Sequence, residues 1–256
     1  MQAETAALRR RRWAVLLPVV ISVLVISVVG ALIIREQQRQ VDQTGEADAA
    51  ALAYFAEVTE FRAGVVAVVD ANIDADPADL RAAVETAIAD PPVLAPATPE
   101  GELTSSTYRD AQATAVTLLD PYRELMAVLD TAVVAEPFIA AAEEVLALRI
   151  TDIVGTDTLT SGEPVEAEVI PTFERGLAAF ESTPVPPGQE DLAATVSAAV
   201  QYVIDQSSIL ASLARLGQSY SFGYSDQFNL ASEAVRAYGL TVESDLAVAV
   251  DAIDLP

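Results

Sequence analysis

The longest apolar run in the chain lies close to its N-terminus. Residues 13–34 form 22 consecutive positions without a charged side chain. A helix rises about 1.5 Å per residue, so this run is long enough to cross a hydrocarbon core roughly 30 Å thick. The cluster Arg9, Arg10, Arg11 and Arg12 precedes it, and Trp13 stands where interfacial aromatic residues are enriched.

The flanking charges predict the orientation of this segment. Basic clusters stay on the cytoplasmic side of a span. The pattern therefore predicts a single-pass signal-anchor in the cell membrane, with residues 1–12 cytoplasmic and the C-terminal part of the chain extracytoplasmic. A cleaved signal peptide is the alternative. The apolar run exceeds the usual length of about 7–15 residues for a signal-peptide core, and residues 28–30 form a poor cleavage site, so the uncleaved anchor is favoured.

Beyond the anchor the polar pattern predicts a stalk and then an amphipathic helix. Residues 35–53 are polar on all sides at first and are expected to form a helical stalk. A stripe of apolar residues at alternating spacings of four and three then indicates a helix that ends near Asn72. The stripe consists of Tyr54, Val58, Phe61, Val65 and Val68.

The rest of the chain alternates between helical periodicity and Pro-containing breaks. Asp76-Pro77 is a helix start signal, and Ser105 or Ser106 is another. Residues 90–104 and 151–164 are expected to be loops, Pro137 to separate two helices, and Gly239 to cap a helix C-terminus. Helices are predicted over residues 77–89, 105–120, 121–134, 137–148, 165–181, 190–216, 225–238 and 241–253. The fold class is therefore all-α, with an extracytoplasmic helix bundle over residues 54–256 and Pro-rich loops.

Composition narrows the chemistry available to the chain. There is no Cys and no His among the 256 residues. Cysteine and Ser-His-Asp nucleophilic catalysis and ordinary zinc hydrolase sites therefore lack their central groups. Glycoside hydrolysis needs only two carboxyl groups, but the densest acidic groups (Glu143-Glu144, and Glu163, Glu166 and Glu168) have the pattern of solvated faces. We expect a non-enzymatic protein without a cofactor.

Charge is distributed unevenly along the chain. All 14 basic residues are Arg, and the net charge is −24. Residues 1–34 carry four Arg against one Glu, whereas residues 35–256 carry 10 Arg against 37 acidic residues, a net charge of −27. A domain this acidic repels nucleic acid. The expected partners are the lipid bilayer, through residues 13–34, and another membrane or envelope protein.

Four aromatic residues cluster near the C-terminus: Tyr220, Phe222, Tyr224 and Phe228. Aromatic side chains beside Ser and Asp are typical of recognition surfaces, so this group is the candidate partner-binding site. The alternative is that the rings supply bulk to a core of small aliphatic residues, which is the commoner use of such residues.

A second candidate is the acidic segment that holds Asp70, Asn72, Asp74 and Asp76. Oxygen ligands at alternate positions resemble a calcium loop. The pattern departs from that motif because Ala75 stands where Gly is required and Arg81 stands where a bidentate Glu is required. A helix end followed by an Asp N-cap is the favoured interpretation, and a small-ligand or cation-sensing ectodomain is the alternative function.

Overall fold

The computed structural model is all-helical. It describes the backbone of residues 2–155 and 162–253, and the side chains of residues 35–155 and 162–253; no strand occurs in these ranges. The helices are α1 (Gln2–Asn72), α2 (Pro77–Ala87), α3 (Pro99–Thr104), α4 (Ser106–Thr117), α5 (Asp120–Leu146), α6 (Ile150–Val154), α7 (Ile170–Glu181), α8 (Glu190–Arg215) and α9 (Ser225–Ile253), with a π-helical turn at Val165–Val169 before α7.

The chain divides into two compact units. Unit 1 comprises residues 1–61 and 91–118, and unit 2 comprises residues 62–90 and 119–256. Unit 1 holds 7 Arg and 10 acidic residues, a net charge of −3, whereas unit 2 holds 7 Arg and 28 acidic residues, a net charge of −21. The acidity that the composition shows therefore belongs mainly to unit 2.

Unit 1 is built around a core on one face of α1. Ala47, Ala51, Tyr54 and Val58 are buried at spacings of four and three, together with Tyr108, Ala111 and Leu118. The predicted stalk, residues 35–53, is helical; its first eight residues, 35–42, are exposed, and Ala47 and Ala51 pack into the core. Tyr54 and Val58 of the predicted stripe are buried, and Phe61 is half-buried. In the part of α1 that belongs to unit 2, the buried positions are Val65 and Val69, so the stripe continues at Val69 rather than at the predicted Val68.

The Pro-rich segment before α4 is held to unit 1 by specific contacts. The Tyr108 hydroxyl donates to the Ala95 carbonyl at 2.9 Å and accepts from the Ala97 amide at 3.1 Å. Residues 90–104, predicted to be a loop throughout, contain the short helix α3, whose N-cap Thr98 accepts from the Gly101 amide at 3.1 Å. Gly101 allows a close approach to α1, because an added Cβ would lie 2.8 Å from the Gln43 carbonyl oxygen.

Two helix starts lie where the sequence predicts them. Asp76 accepts a hydrogen bond from the Ala78 amide at 2.8 Å, with Pro77 opening α2. Ser105 accepts from the Tyr108 amide at 2.9 Å at the start of α4. Local capping chemistry determines both positions.

Unit 2 has its main core among α5, α7, α8, α9 and the π-helical turn. Phe138, Phe173, Val200 and Val203 are fully buried there. The π-helical turn positions Val165 and Val169 in the same core, and the Ile170 amide donates to the Val165 carbonyl five residues back. Pro171, which lacks an amide hydrogen, then lies in the first turn of α7, where none is needed.

Two predicted breaks are wrong. Pro137 lies inside α5, and Gly239 lies inside α9, so each of these regions is one long helix instead of two. The helices contact each other at these positions: the Phe138 and Tyr238 rings are 6.4 Å apart, and an added Cβ on Gly239 would lie 3.7 Å from Ile139 Cδ1. Burial of apolar surface along α5 and α9 outweighs the local preference for a break at either residue.

Helix α2 is tied to α5 by an ion pair as well as by its buried residues Leu80 and Val84. Arg81 Nε donates to Asp130 Oδ1 at 2.5 Å, and Arg81 Nη1 donates to Glu85 Oε2 at 2.9 Å. The hydrogen bond to Asp130 and its negative charge raise the pKa of Arg81. In the sequence, Arg81 departs from the calcium-loop motif. In the structure, the same residue links α2 to α5.

One apolar helical stretch outside the N-terminus has the length and composition of a membrane span. Residues Ser106–Leu146 include an 18-residue window of mean hydropathy 1.7, of which 33% is buried. Its helix α5 also places Leu125, Leu129 and Phe138 in the interior of unit 2. The side chains of residues 13–34, and those of Arg9–Arg12 with them, lie outside the described residues, so the N-terminal span and its topology stay predictions.

Two buried serines differ in their hydrogen bonding and give a test of the packing. Both Ser105 and Ser207 are 1% exposed. Ser105 Oγ donates to Asp48 Oδ1 at 2.5 Å and also caps α4, whereas Ser207 Oγ has no partner among the described residues. We expect Ser207→Ala to raise the free energy of unfolding by up to about 1 kcal/mol, and Ser105→Ala to lower it by about 1–3 kcal/mol.

Urea titrations of the two variants, followed by circular dichroism, measure this difference. The chemical change and the burial are the same at both sites, but Ser105 is the N-cap of α4 whereas Ser207 lies inside α8, where the helix propensity of Ala adds to the stabilisation. Equal destabilisation by the two substitutions would contradict the assignment of Ser207 as an unsatisfied hydroxyl.

The continuity of α9 predicts the effect of filling Gly239. An alanine there meets only an ordinary contact with Ile139 and favours helix, so Gly239→Ala is expected to stabilise the protein by about 0.5–1 kcal/mol. Gly188, which has φ of +79°, is the control, because Gly188→Ala forces a side chain into the left-handed region. Thermal melts are expected to show a higher melting temperature for Gly239→Ala and a lower one for Gly188→Ala. Destabilisation by Gly239→Ala would support a helix break at that position.

Candidate binding surfaces

The aromatic residues near the C-terminus form a connected row of rings in unit 2. Centroids are 6.3 Å apart between Tyr220 and Phe222, 6.3 Å between Phe222 and Tyr224, and 5.0 Å between Tyr224 and Phe228. Phe222 also lies 6.4 Å from Tyr202 of α8. The structure therefore brings the four predicted residues together, as an extended segment and the first turn of α9.

Within this aromatic row the four residues are buried to different degrees. Phe228 is 2% exposed and packs against Phe173, with Arg149 6.0 Å from its ring. The Tyr224 hydroxyl accepts from the Ile150 amide at 3.1 Å, and the Tyr220 hydroxyl donates to Gln206 Oε1. Phe228 is thus a core residue, while Tyr220, Phe222 and Tyr224 are half-buried.

The small residues between these rings are exposed. Ser219, Ser221 and Gly223 alternate with Tyr220, Phe222 and Tyr224, and the alternation of burial follows the same pattern. Side chains of an extended chain point alternately to opposite sides. Tyr220 and Phe222 thus contact α8 and Tyr224 contacts α6, while the serines are exposed.

The acidic segment at the end of α1 has a different arrangement from a metal loop. Asp70 and Asn72 belong to α1, and Nδ2 of the Asn72 side chain donates to the Val68 carbonyl at 2.7 Å. Asp76 uses its carboxylate as the N-cap of α2. Asp70, Asp74 and Asp76 are all exposed, and the described part of the chain contains no group of three or more His, Cys, Asp or Glu arranged around a metal position.

The acidic groups considered for hydrolysis also lie in ordinary surroundings. Glu166 forms an ion pair with Arg215 of α8. Glu143 and Glu144 of α5 line two different surface clefts of unit 2. The linings of these two clefts do not include Glu163, Glu166 or Glu168.

A large cleft in unit 2 combines residues that the sequence analysis does not single out. We call it the α8 groove; it has a volume of about 700 Å³ and lies among α5, α9 and the start of α8. Its apolar walls include Val128, Leu192 and Val242, and its polar groups include Asp191, Asp245, Tyr238 and several threonines. Burial raises the pKa of the Tyr238 phenol above its ordinary value of 10.0.

A second cleft lies on the other side of α9. We call it the α2 groove; it has a volume of about 440 Å³ and lies among α5, α9 and Pro77 at the start of α2. Its lining contains Glu136, Glu143 and Glu243 together with Arg236. The lining of the α8 groove has two carboxylates and no arginine, so both linings carry a formal net charge of −2, but only the α2 groove also holds a cation.

Comparison with known proteins finds no match for this chain: no family model, no curated protein and no solved structure is similar to it.

Proposed function

We propose that this protein is a membrane-tethered, non-enzymatic binding module that engages another membrane or envelope protein from the extracytoplasmic side. The observation that carries the proposal is the uncharged run of residues 13–34 behind the cluster Arg9–Arg12. Both lie within α1, whose backbone is helical from Gln2 to Asn72. Such a helix continues from an anchor into a domain without a flexible linker.

The surface that best fits a protein partner is the half-buried part of the aromatic row. Tyr220, Phe222 and Tyr224 are half-buried, so their ring positions are fixed by contacts with α8 and α6. Rigid aromatic side chains provide contact area at low entropic cost and are enriched in protein interfaces. The absence of His and Cys from the sequence favours binding over catalysis.

A second candidate function is a small-ligand-binding ectodomain, and the α8 groove favours it. Pockets for small molecules have volumes of about 300–1,000 Å³, apolar walls and a few polar groups. The α8 groove has these properties, whereas Asp70, Asn72, Asp74 and Asp76 do not converge on one point. In this version of the function the ligand lies in the groove instead of the acidic segment.

Membrane topology is testable because the chain contains no Cys. Ala3→Cys and Ser219→Cys each introduce a single thiol, one before the predicted span and one on the exposed aromatic segment. We expect a membrane-impermeant maleimide to label only the Ser219→Cys variant in intact cells, and both variants after the membrane is permeabilised. Labelling of the Ala3→Cys variant in intact cells would contradict the proposed orientation.

A deletion extends this test to the identity of the anchor. Removal of residues 1–34 is expected to release the protein from the membrane fraction. If the apolar stretch Ser106–Leu146 were the anchor instead, the shortened protein would stay in the membrane after carbonate extraction.

The protein partner is testable by co-purification of the full-length chain from native membranes in mild detergent. We expect a stoichiometric membrane or envelope protein, and we expect Tyr220→Ala combined with Phe222→Ala to weaken its retention roughly tenfold, as loss of interface aromatic residues does. Ser219→Ala combined with Ser221→Ala is the matched control, because these exposed serines alternate with the rings on the same segment.

Thermal melts establish that both double variants are folded. Full retention of the partner by the aromatic variant, or recovery of the protein alone, would contradict the proposed interface.

A further inference from the structure

The α8 groove combines an apolar interior with uncompensated negative charge. Val128, Leu192 and Val242 contribute aliphatic walls from three helices, α5, α8 and α9. Asp191 lies in the first turn of α8, and Asp245 lies in the C-terminal half of α9; both are exposed and form no ion pair with any described residue. An apolar wall next to a carboxylate fits a ligand with an apolar body and a positive charge.

Tyr238 adds an aromatic wall and a free polar group to this cleft. Its ring packs edge-on against Phe138 at 6.4 Å, which fixes its position. Its hydroxyl makes no hydrogen bond to another group in the described ranges. A phenol can both accept from an ammonium N–H and present its ring face to a cation.

The charge around the groove also favours a positively charged ligand. Unit 2 has a net charge of −21, and no arginine lines the α8 groove. A field of this sign raises the local concentration of cations and repels carboxylates and phosphates. Anionic ligands are therefore disfavoured both by the lining and by the unit as a whole.

We propose that the α8 groove binds an organic ammonium ion: an apolar, ring-containing or branched aliphatic body that carries one protonated amine. The apolar body lies against Val128, Leu192 and Val242, and the ammonium group is directed towards Asp191, Asp245 and the Tyr238 hydroxyl. This inference rests on the second candidate function, ligand binding, and is independent of the membrane anchor and of the protein partner.

The test uses the full chain in lipid nanodiscs and titration calorimetry with diphenylmethylammonium, with empty nanodiscs as the reference for partitioning into lipid. Diphenylmethanol and diphenylacetate have nearly the same shape as the ammonium compound. Diphenylmethanol is neutral, and diphenylacetate carries a negative charge. We expect saturable one-site binding of the ammonium compound, weakened by added salt, and no saturable binding of the acetate. Equal binding of the alcohol and the ammonium compound would overturn the proposal, as would the absence of saturable ammonium binding.

Charge-neutralising variants locate the site. Asp191→Asn and Asp245→Asn are each expected to weaken binding about twofold to fivefold, as expected for the loss of an exposed ion pair. Glu243→Gln is the matched control: it changes the net charge by the same amount, two residues away on α9, but its side chain lines the α2 groove. It is expected to leave the affinity unchanged.

The outcomes separate the groove from general electrostatics and from the other proposals. If Glu243→Gln weakens binding as much as Asp245→Asn, the cation is attracted by overall charge and the site proposal fails. If ammonium binding is absent while a protein partner co-purifies, the groove inference fails alone. Unchanged melting temperatures of the variants show that any loss of binding is local.

Discussion

The packing of α5 against α9 is the contact on which unit 2 depends. These two helices, 27 and 29 residues long, contact each other more extensively than any other pair among α2–α9. Each contains a residue that disfavours helix in isolation, Pro137 or Gly239, and the neighbours of these residues meet across the interface through Phe138–Tyr238 and Ile139–Gly239. Burial along both helices compensates for the hydrogen bond that Pro137 cannot make and for the backbone entropy of Gly239.

This contact explains which parts of the fold could be predicted from the sequence. Helix starts depend on a residue and its next three neighbours, so Asp76 and Ser105 were located correctly from their capping chemistry. The helix α3 carries the same kind of signal, Thr98 followed by Pro99, which the Pro-rich surroundings obscured. Helix interiors depend on distant partners, so the breaks expected at Pro137 and Gly239 were wrong.

The candidate sites also divide into one that depends on neighbouring residues and one that depends on residues far apart in the sequence. The aromatic row is local in sequence, and residues 220–228 do lie together, although burial makes Phe228 part of the core. The α8 groove depends on the register of three helices, since Val128, Asp191 and Asp245 are separated by more than 50 residues from one another. Periodicity identifies the buried face of each helix but not which turns of two helices meet.

The two grooves on α9 follow from helix geometry. Residues two apart on a helix do not share a face, so Glu243 and Asp245 lie on different sides of α9 and line different grooves. Arg236 lines the α2 groove and offsets part of its acidity, whereas α5, α8 and α9 supply no arginine to the lining of the α8 groove. Both linings therefore carry a formal net charge of −2, the α2 groove with three carboxylates and one arginine and the α8 groove with two carboxylates alone. Because the two linings have the same net charge, a cation attracted by net charge alone has no preference between the grooves, and a preference for the α8 groove would come from carboxylates that have no neighbouring arginine in the lining.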